Sequence, residues 1–352
     1  MGRSAQFDPD AAAAPGSGLF GLRNSPEDSA LVVLPVPFEA TTSYGGGASR
    51  GPAAILAASR QVDLFDHEAG RPYAAGIAML PISRQVLSWN REALRAAGGV
   101  IEAGGDIAGR PDLEKALERV NAIGGLVNYW VRQETETLLD GGKIVVVLGG
   151  DHSVPYGAIE ALSERHPGLG ILHVDAHADL REAYEGFAWS HASIMQNVAT
   201  RLPGIRKIVQ VGVRDMGQGE MEAIRRSRGR IVLYHDADIA SRLFGGETWG
   251  AIVKEIVARL PRTIYVSFDI DGLDPSLCPH TGTPVPGGLS FQQAASLLLA
   301  VSRSGRRIVG ADLCEVSPGS EGRGEWDANV GARVLYKLIG AILMSGPRRG
   351  RA

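Results

Sequence analysis

Cysteine is nearly absent from this 352-residue sequence, which contains only Cys278 and Cys314. Two thiols cannot build the disulfide framework of a small secreted domain, so the sequence favours a reducing compartment. The first residues lack the basic, apolar and cleavage regions of a secretory signal. No apolar run reaches the roughly 20 residues that a membrane-spanning helix needs. We therefore expect a cytoplasmic protein that has no membrane partner.

An excess of charge of either sign is also missing. Lys and Arg number 36 and Asp and Glu number 39, which leaves a formal net charge of −3. This balance provides no general attraction for the phosphate backbone, so we expect no nucleic-acid partner.

Seven apolar runs rich in β-branched residues recur along the chain, and helix-like segments separate most of them. The runs are continuous rather than alternating, which is typical of strands buried on both faces. Strand–helix alternation predicts an α/β fold with a mostly parallel, doubly wound sheet between two helical layers. The runs span 30–36, 143–150, 170–176, 207–213, 230–236, 263–271 and 307–316.

The domain organisation is predicted to be simple. Residues 1–29, rich in Ala, Gly and Pro, are expected to form a flexible tail, and residues 30–345 a single domain. Residues 84–140 have helical periodicity and few strand signals, so they are expected to add two helices to that domain.

Metal-binding residue types follow several of these runs. His152 follows the second run, and Asp269 and Asp271 lie at the end of the sixth. Asp175 lies at the end of the third run, and His177 and Asp179 follow it. Ligands of doubly wound sheets bind outside the carboxyl ends of the strands, so we expect these six side chains to meet in one cavity.

Four carboxylates in one cavity repel each other unless a counter-charge is present. Two divalent cations and a bridging hydroxide would balance them to within one charge. Mixed Asp and His ligation suits manganese, with nickel, cobalt or iron as alternatives, and the lack of Cys argues against structural zinc. The sequence therefore predicts a two-metal centre that activates water.

Other polar residues near these runs have simpler interpretations. His173 lies in mid-strand and is interpreted as a core histidine. The group His235, Asp236 and Asp238 is interpreted as a loop or helix cap rather than a metal site. Asp151 is expected to orient its neighbours rather than to bind metal.

Four motifs together resemble the ureohydrolase family of arginases and agmatinases. They are GGDHS at 149–153, DAHAD at 175–179, SFDIDGLDP at 267–275 and TGTPVPGG at 281–288. The resemblance extends from about residue 31 to residue 340, and it implies a three-layer α/β/α fold with two Mn²⁺ ions per subunit. It further implies a homotrimer or homohexamer.

The resemblance also implies individual roles. His152 and Asp179 would bind one metal, His177 and Asp271 the other, and Asp175 and Asp269 both. Asp179 would accept a hydrogen bond from the nucleophile, Glu315 would hold the guanidinium in a bidentate pair, and His191 would shuttle the proton to the leaving amine.

The substrate is expected to be a small cationic guanidino compound. The segment 180–190 lacks the Asn/Ser pattern that arginases use for an α-carboxylate, and Gly217 stands where they have Asp. The stretch DAHADLREAYEGFAWSHASIM looks most like bacterial and archaeal agmatinases, which predicts conversion of agmatine and water to putrescine and urea. Candidates for substrate contacts beyond Glu315 and His191 are Glu185, Glu220 and Thr283.

Alternatives within the same chemistry are guanidinobutyrate, formimidoylglutamate, arginine and guanidine, and Arg181 or Arg214 could serve an anionic substrate. A dinuclear phosphoesterase would need further metal histidines that the sequence lacks. A catalytically silent regulatory homologue is disfavoured because all six predicted ligands, His191 and Glu315 are present.

Overall fold

Eight parallel strands form one sheet in a computed structural model, which describes residues 7–14, 16–319 and 325–346. The order across the sheet is β2-β1-β3-β8-β7-β4-β5-β6, and every pair of neighbours is parallel. The strands are β1 (Leu31–Val36), β2 (Ile77–Met79), β3 (Ile144–Gly149), β4 (Gly170–Val174), β5 (Lys207–Val211), β6 (Ile231–Tyr234), β7 (Thr263–Asp269) and β8 (Arg307–Cys314).

Helices cover both faces of this sheet, because the strands are apolar on both sides. One face packs against α1 (Gly51–Ala58), α8 (Trp249–Arg259), α9 (Phe291–Arg303) and α10 (Glu325–Ser345). The other packs against α2 (Arg84–Glu102), α3 (Pro111–Asp140), α4 (Tyr156–Arg165) and α5 (Ile194–Arg201). Two further helices, α6 (Gln218–Arg226) and α7 (Asp236–Phe244), lie near the β6 edge. This arrangement confirms the predicted three-layer α/β/α architecture.

The apolar runs located the strands well. All seven became strands, and the segment 84–140 contains the two expected helices, α2 and α3. The additional strand β2 has three residues, which is too short for a periodic signal. None of the helices in the described residues is both long and apolar enough to cross a membrane.

Part of the predicted flexible tail is packed into the fold. Leu19, Phe20 and Leu22 are buried in the same core as α10, and the Phe20 ring lies 4.8 Å from the Tyr336 ring, centroid to centroid. Burial of these apolar side chains stabilises the fold, so residues 19–22 are packed against the core, unlike the flexible tail expected from the sequence. Residues 1–6 and 15 lie outside the described residues. The division of the chain at residue 29 stays a prediction.

The sheet order explains where a site can form. Strands β3, β8, β7 and β4 are consecutive in space although they are distant in sequence. Because all run in the same direction, the residues that follow them meet at one edge, which we call the carboxyl edge.

Candidate metal centre and adjoining cavity

One histidine nitrogen lies at the centre of three buried carboxylates at the carboxyl edge. His152 Nδ1 is 3.0 Å from Asp175 Oδ2, 3.2 Å from Asp269 Oδ2 and 3.3 Å from Asp179 Oδ2. Asp179 reaches His152 because its backbone has φ 54, a left-handed turn that ends the segment after β4. Strand β4 ends at Val174, so all three of Asp175, His177 and Asp179 lie beyond the strand.

A second cluster shares Asp175 with the first. His177 Nδ1 lies 3.0 Å from Asp271 Oδ2 and 3.5 Å from Asp175 Oδ1. Ligand-type atoms of Asp175, His177 and Asp271 lie within 4.8 Å of one another. Two clusters with one common carboxylate form the arrangement expected of two adjacent cations with a shared ligand.

The charge of this region requires a counter-ion. Within residues 7–14, 16–319 and 325–346, no Lys or Arg forms an ion pair with any of the four carboxylates. Burial and the neighbouring Asp175 raise the pKa of Asp179 to about 7, and burial with Asp271 and Asp175 raises the pKa of Asp269 well above its usual range. Without metal, protons must replace the missing positive charge. The residues therefore fit a pair of divalent cations, and a mixed set of Asp and His suits Mn²⁺, Co²⁺ or Ni²⁺.

His152 is held from its other side by residues of β7 and β8. Its Nε2 lies 2.9 Å from Ser267 Oγ and 3.5 Å from Asp312 Oδ1. Asp312 is fully buried, and its Oδ2 has no hydrogen-bond partner in the described residues. Such a contact behind a metal-binding histidine fixes the ring and the nitrogen that faces the metal.

The interpretation of His173 as an ordinary core histidine is incomplete. Its Nδ1 faces Gln210 Nε2 at 3.0 Å, but its Nε2 lies 2.9 Å from Asp175 Oδ2 without the angle of a hydrogen bond. The atoms of His173 belong to the cluster of His152, Asp175 and Asp179. The sequence contained no signal for this, because a histidine inside an apolar run resembles any other buried polar residue.

A cavity of about 280 Å³ connects the clusters with solvent. His191 lies on its wall, with its Nδ1 3.4 Å from Thr41 Oγ1. Burial and the nearby His177 lower the pKa of His191 to about 4, so the ring is neutral at neutral pH and can accept a proton. Its position is compatible with the predicted proton shuttle. The lining residues are Ser43, Tyr44, His177, Asp179, Arg181, Tyr184, His191, Ala192, Asp215, Glu220, Thr283, Pro284 and Val285.

Glu315 lies behind this wall, directly after β8. Its Oε1 accepts a hydrogen bond of 2.9 Å from the backbone N–H of His152, while its Oε2 has no partner in the described part of the chain. Thr42 Oγ1 is a second buried atom without a partner. Both residues border Gly282, where a Cβ would lie 3.4 Å from Glu315 Oε2 and 3.2 Å from Thr42 Cγ2. Glycine at this position therefore leaves a small recess beside an unsatisfied carboxylate.

The three other substrate candidates differ in their positions. Thr283 lines the cavity, and its Oγ1 lies 3.4 Å from Asp271 Oδ2. Glu220 also lines it, but both of its oxygens accept backbone hydrogen bonds, from Leu180 N and Gly217 N. Glu185 is not among the lining residues, and its substrate contact stays a prediction. Asp215 also lines the cavity, although the sequence did not identify it as a candidate for substrate binding.

The two arginines considered for an anionic substrate are largely occupied. Arg214 donates to the carbonyl oxygens of Gly212, Asp271, Leu273 and Val285, which makes it a structural residue. Arg181 lies over the Tyr184 ring at 5.2 Å and 3.7 Å from Glu220 Oε2.

Helices α2 and α3 support the loops around the cavity, which gives the segment 84–140 a role. Asn90 Oδ1 of α2 accepts from Glu39 N at 2.8 Å. Asn121 Oδ1 of α3 accepts from Ala188 N at 2.8 Å, three residues before His191.

The expectation that His235 is a helix cap is confirmed, because its ring accepts from Ala237 N at the start of α7.

Comparisons with known proteins agree with this geometry. A family model described as "Arginase family" matches residues 29–340. The N(1)-aminopropylagmatine ureohydrolase of Thermus thermophilus is 35% identical over 92% of this chain and 94% of its own length. The agmatinase of Bacillus anthracis is 28% identical over 86% of this chain and 89% of its own length.

A solved structure, the agmatine ureohydrolase of Thermoplasma volcanium, superposes with a TM-score of 0.69 at 24% identity and covers 91% of this chain and 92% of its own. That likeness concerns the fold. Because the family match and the 35% identical relative both span almost the whole chain, the protein belongs to the arginase family and is a ureohydrolase that acts on guanidino compounds.

Proposed function

We propose that the protein hydrolyses a linear cationic guanidino-alkylamine, with agmatine as the simplest substrate and putrescine and urea as products. The supporting observation is a carboxylate at each end of the substrate path. Glu315 Oε2 is unpaired beside the metal cluster, and Asp215 is exposed at the outer cavity wall. A guanidinium at one end of a chain and an ammonium at the other match this pattern.

The roles of the residues follow from their positions. The free oxygen of Glu315 accepts N–H groups of the guanidinium, and Asp179 accepts a hydrogen bond from the attacking water. When bound, two Mn²⁺ ions supply the positive field that makes this water nucleophilic near neutral pH. The bond between the guanidino carbon and the alkyl nitrogen then breaks, and His191 transfers the proton that the leaving amine requires.

An anionic substrate such as guanidinobutyrate is less well supported. Of the two candidate cations, Arg214 is engaged by backbone carbonyls and Arg181 faces Glu220 and Tyr184. Asp215 at the same wall would repel a carboxylate. N1-aminopropylagmatine is the second candidate, because the Thermus relative named for it matches over 92% of this chain.

Urea release by the manganese-loaded protein tests the proposal. We expect turnover of agmatine or N1-aminopropylagmatine with kcat/KM at least tenfold above that of arginine and guanidinobutyrate. Preference for guanidinobutyrate or arginine would overturn it. Repeating the assay with Ni²⁺ and Co²⁺ identifies the productive metal. The homotrimer or homohexamer stays a prediction, which light scattering can check.

A further inference from the structure

The outer rim of the cavity contains an aromatic side chain that the fold does not use. Tyr44 is 87% exposed, although it lines the cavity. A tyrosine this exposed contributes little burial to stability. Phe244 is similarly exposed at 89% but is not among the lining residues, so it provides a natural reference position.

The loop that carries Tyr44 is anchored on both sides. Glu39 Oε2 accepts backbone hydrogen bonds of 2.8 Å from Gly47 N and from Ser49 N. Gly45 N donates to Gly282 O at 3.0 Å. The ring is therefore presented at the mouth of the cavity by a fixed backbone.

Asp215 supplies an uncompensated negative charge at the same rim. It is exposed, and its carboxylate makes no hydrogen bond or ion pair with another described residue. Its backbone forms an isolated parallel bridge with His177, so it stands about 4.8 Å from the backbone of a predicted metal ligand. Glu220, by contrast, is engaged by two backbone N–H groups and faces Arg181.

Two tyrosine rings, those of Tyr44 and Tyr184, line the cavity, and they differ in their contacts with cations. Arg181 already occupies one side of the Tyr184 ring at 5.2 Å, whereas no described cation lies over the Tyr44 ring. A free aromatic face and a free carboxylate that line the same cavity provide a suitable environment for a chain with two ammonium groups.

We propose that Tyr44 is a specificity-determining residue that binds a second ammonium group, beyond the one held by Asp215. The preferred substrate is then an agmatine extended by an aminoalkyl group rather than agmatine itself. This inference rests on the proposed function. It assigns the first ammonium to Asp215 and the more distant one to the ring of Tyr44.

The test compares kcat/KM of the manganese-loaded protein for agmatine, N1-aminopropylagmatine and N1-butylagmatine, the last having similar length without the second ammonium. We expect Tyr44→Leu to lower the ratio of aminopropyl to butyl activity about 2- to 5-fold, the range of a cation–π contact at an exposed site. Tyr44→Phe should retain most of the ratio, because the ring face is kept. Phe244→Leu is the control for loss of an exposed aromatic residue.

The outcomes separate this inference from the proposed function. If Tyr44→Leu lowers the activity for all three compounds equally, or for none, the inference is wrong. It is also wrong if the wild-type protein prefers agmatine over the aminopropyl compound. Failure to release urea from any of the three would instead refute the proposed function. Asp215→Asn should lower kcat/KM for all three, because each retains the first ammonium.

Discussion

The carboxyl edge of the sheet and the opposite edge, where the strands begin and which we call the amino edge, carry opposite charges. These charges are compensated in different ways. At the carboxyl edge, four carboxylates are close together without a Lys or Arg partner in the described residues. At the amino edge, an open cavity of about 530 Å³ is lined by cationic side chains. These are Arg206, Lys207, Arg259, Arg262 and Arg306.

The backbone engages Arg306 and Lys207 at the amino edge. Helices α5, α8 and α9 end there, and the last carbonyl groups of a helix carry partial negative charge. Arg306 Nε donates to Leu260 O at 2.9 Å, and Lys207 Nζ donates to Gly229 O. These two contacts stabilise the fold, whereas the buried carboxylates at the carboxyl edge require a counter-charge. Buried charged groups without a cationic partner therefore distinguish the carboxyl edge from the amino edge, where Arg206 and Arg262 are exposed to solvent.

Asp269→Asn tests this distinction with the largest expected effect. We expect urea release to fall on the order of 10³-fold or more, with fewer than two metals bound per chain, because a carboxylate predicted to bind both metals is lost. Burial, Asp271 and Asp175 raise the pKa of Asp269 in the folded metal-free protein, so its ionised form costs stability above the unfolded-state pKa. The metal-free variant should consequently be at least as stable as metal-free wild type at pH 7.

Elemental analysis and chemical denaturation measure both effects. Arg262→Gln at the amino edge is the control and should change neither quantity. Lower stability of the metal-free Asp269→Asn protein would contradict the view that these carboxylates repel each other.

His191→Asn addresses the proton transfer at the carboxyl edge. We expect kcat to fall about 10²- to 10⁴-fold with little change in KM, because a general acid–base group is lost while Glu315 is retained. Steady-state urea release measures the two constants separately. His235→Asn replaces a helix cap by another capping residue and should leave both unchanged. A rise in KM with unchanged kcat would show that His191 only binds substrate.

Asp312→Asn tests the support behind the metal cluster. We expect metal affinity to fall about 10- to 100-fold, because the carboxylate 3.5 Å from His152 Nε2 orients that ring. Titration with Mn²⁺, followed by activity and by direct binding, measures the shift. Ser267→Ala, which removes the 2.9 Å partner of the same nitrogen, should cause a loss of similar size. Unchanged affinity in both variants would show that the histidine is positioned by packing alone.

The sequence predicts the strands of the fold better than it predicts the residues that line the cavity, and the reasons are physical. Buried parallel strands need continuous apolar runs, so seven strands were visible, and the ligand-type residues directly after them were visible too. The turn at Asp179 and the contact of His173 with Asp175 depend on backbone geometry that residue spacing does not encode. Glu185 and Asp215 are both acidic residues in loops, and only the structure shows that Asp215 lines the cavity.

Arg306→Ala gives the smallest expected effect and completes the comparison at the amino edge. The variant loses the hydrogen bond from Nε to Leu260 O, the residue that caps the end of α8. A buried carbonyl that loses its donor costs about 1 kcal/mol, so we expect the free energy of unfolding to fall by about that amount. Arg262→Ala removes a side chain that makes no hydrogen bond to another described residue, so it should change this free energy by less than about 0.5 kcal/mol. Denaturation in urea measures the difference in the free energy of unfolding, with an unchanged m-value expected. The kcat/KM should stay at the wild-type value in both variants. If Arg306→Ala instead impaired catalysis without loss of stability, the amino edge would have a functional role, and the division between the two edges would be wrong.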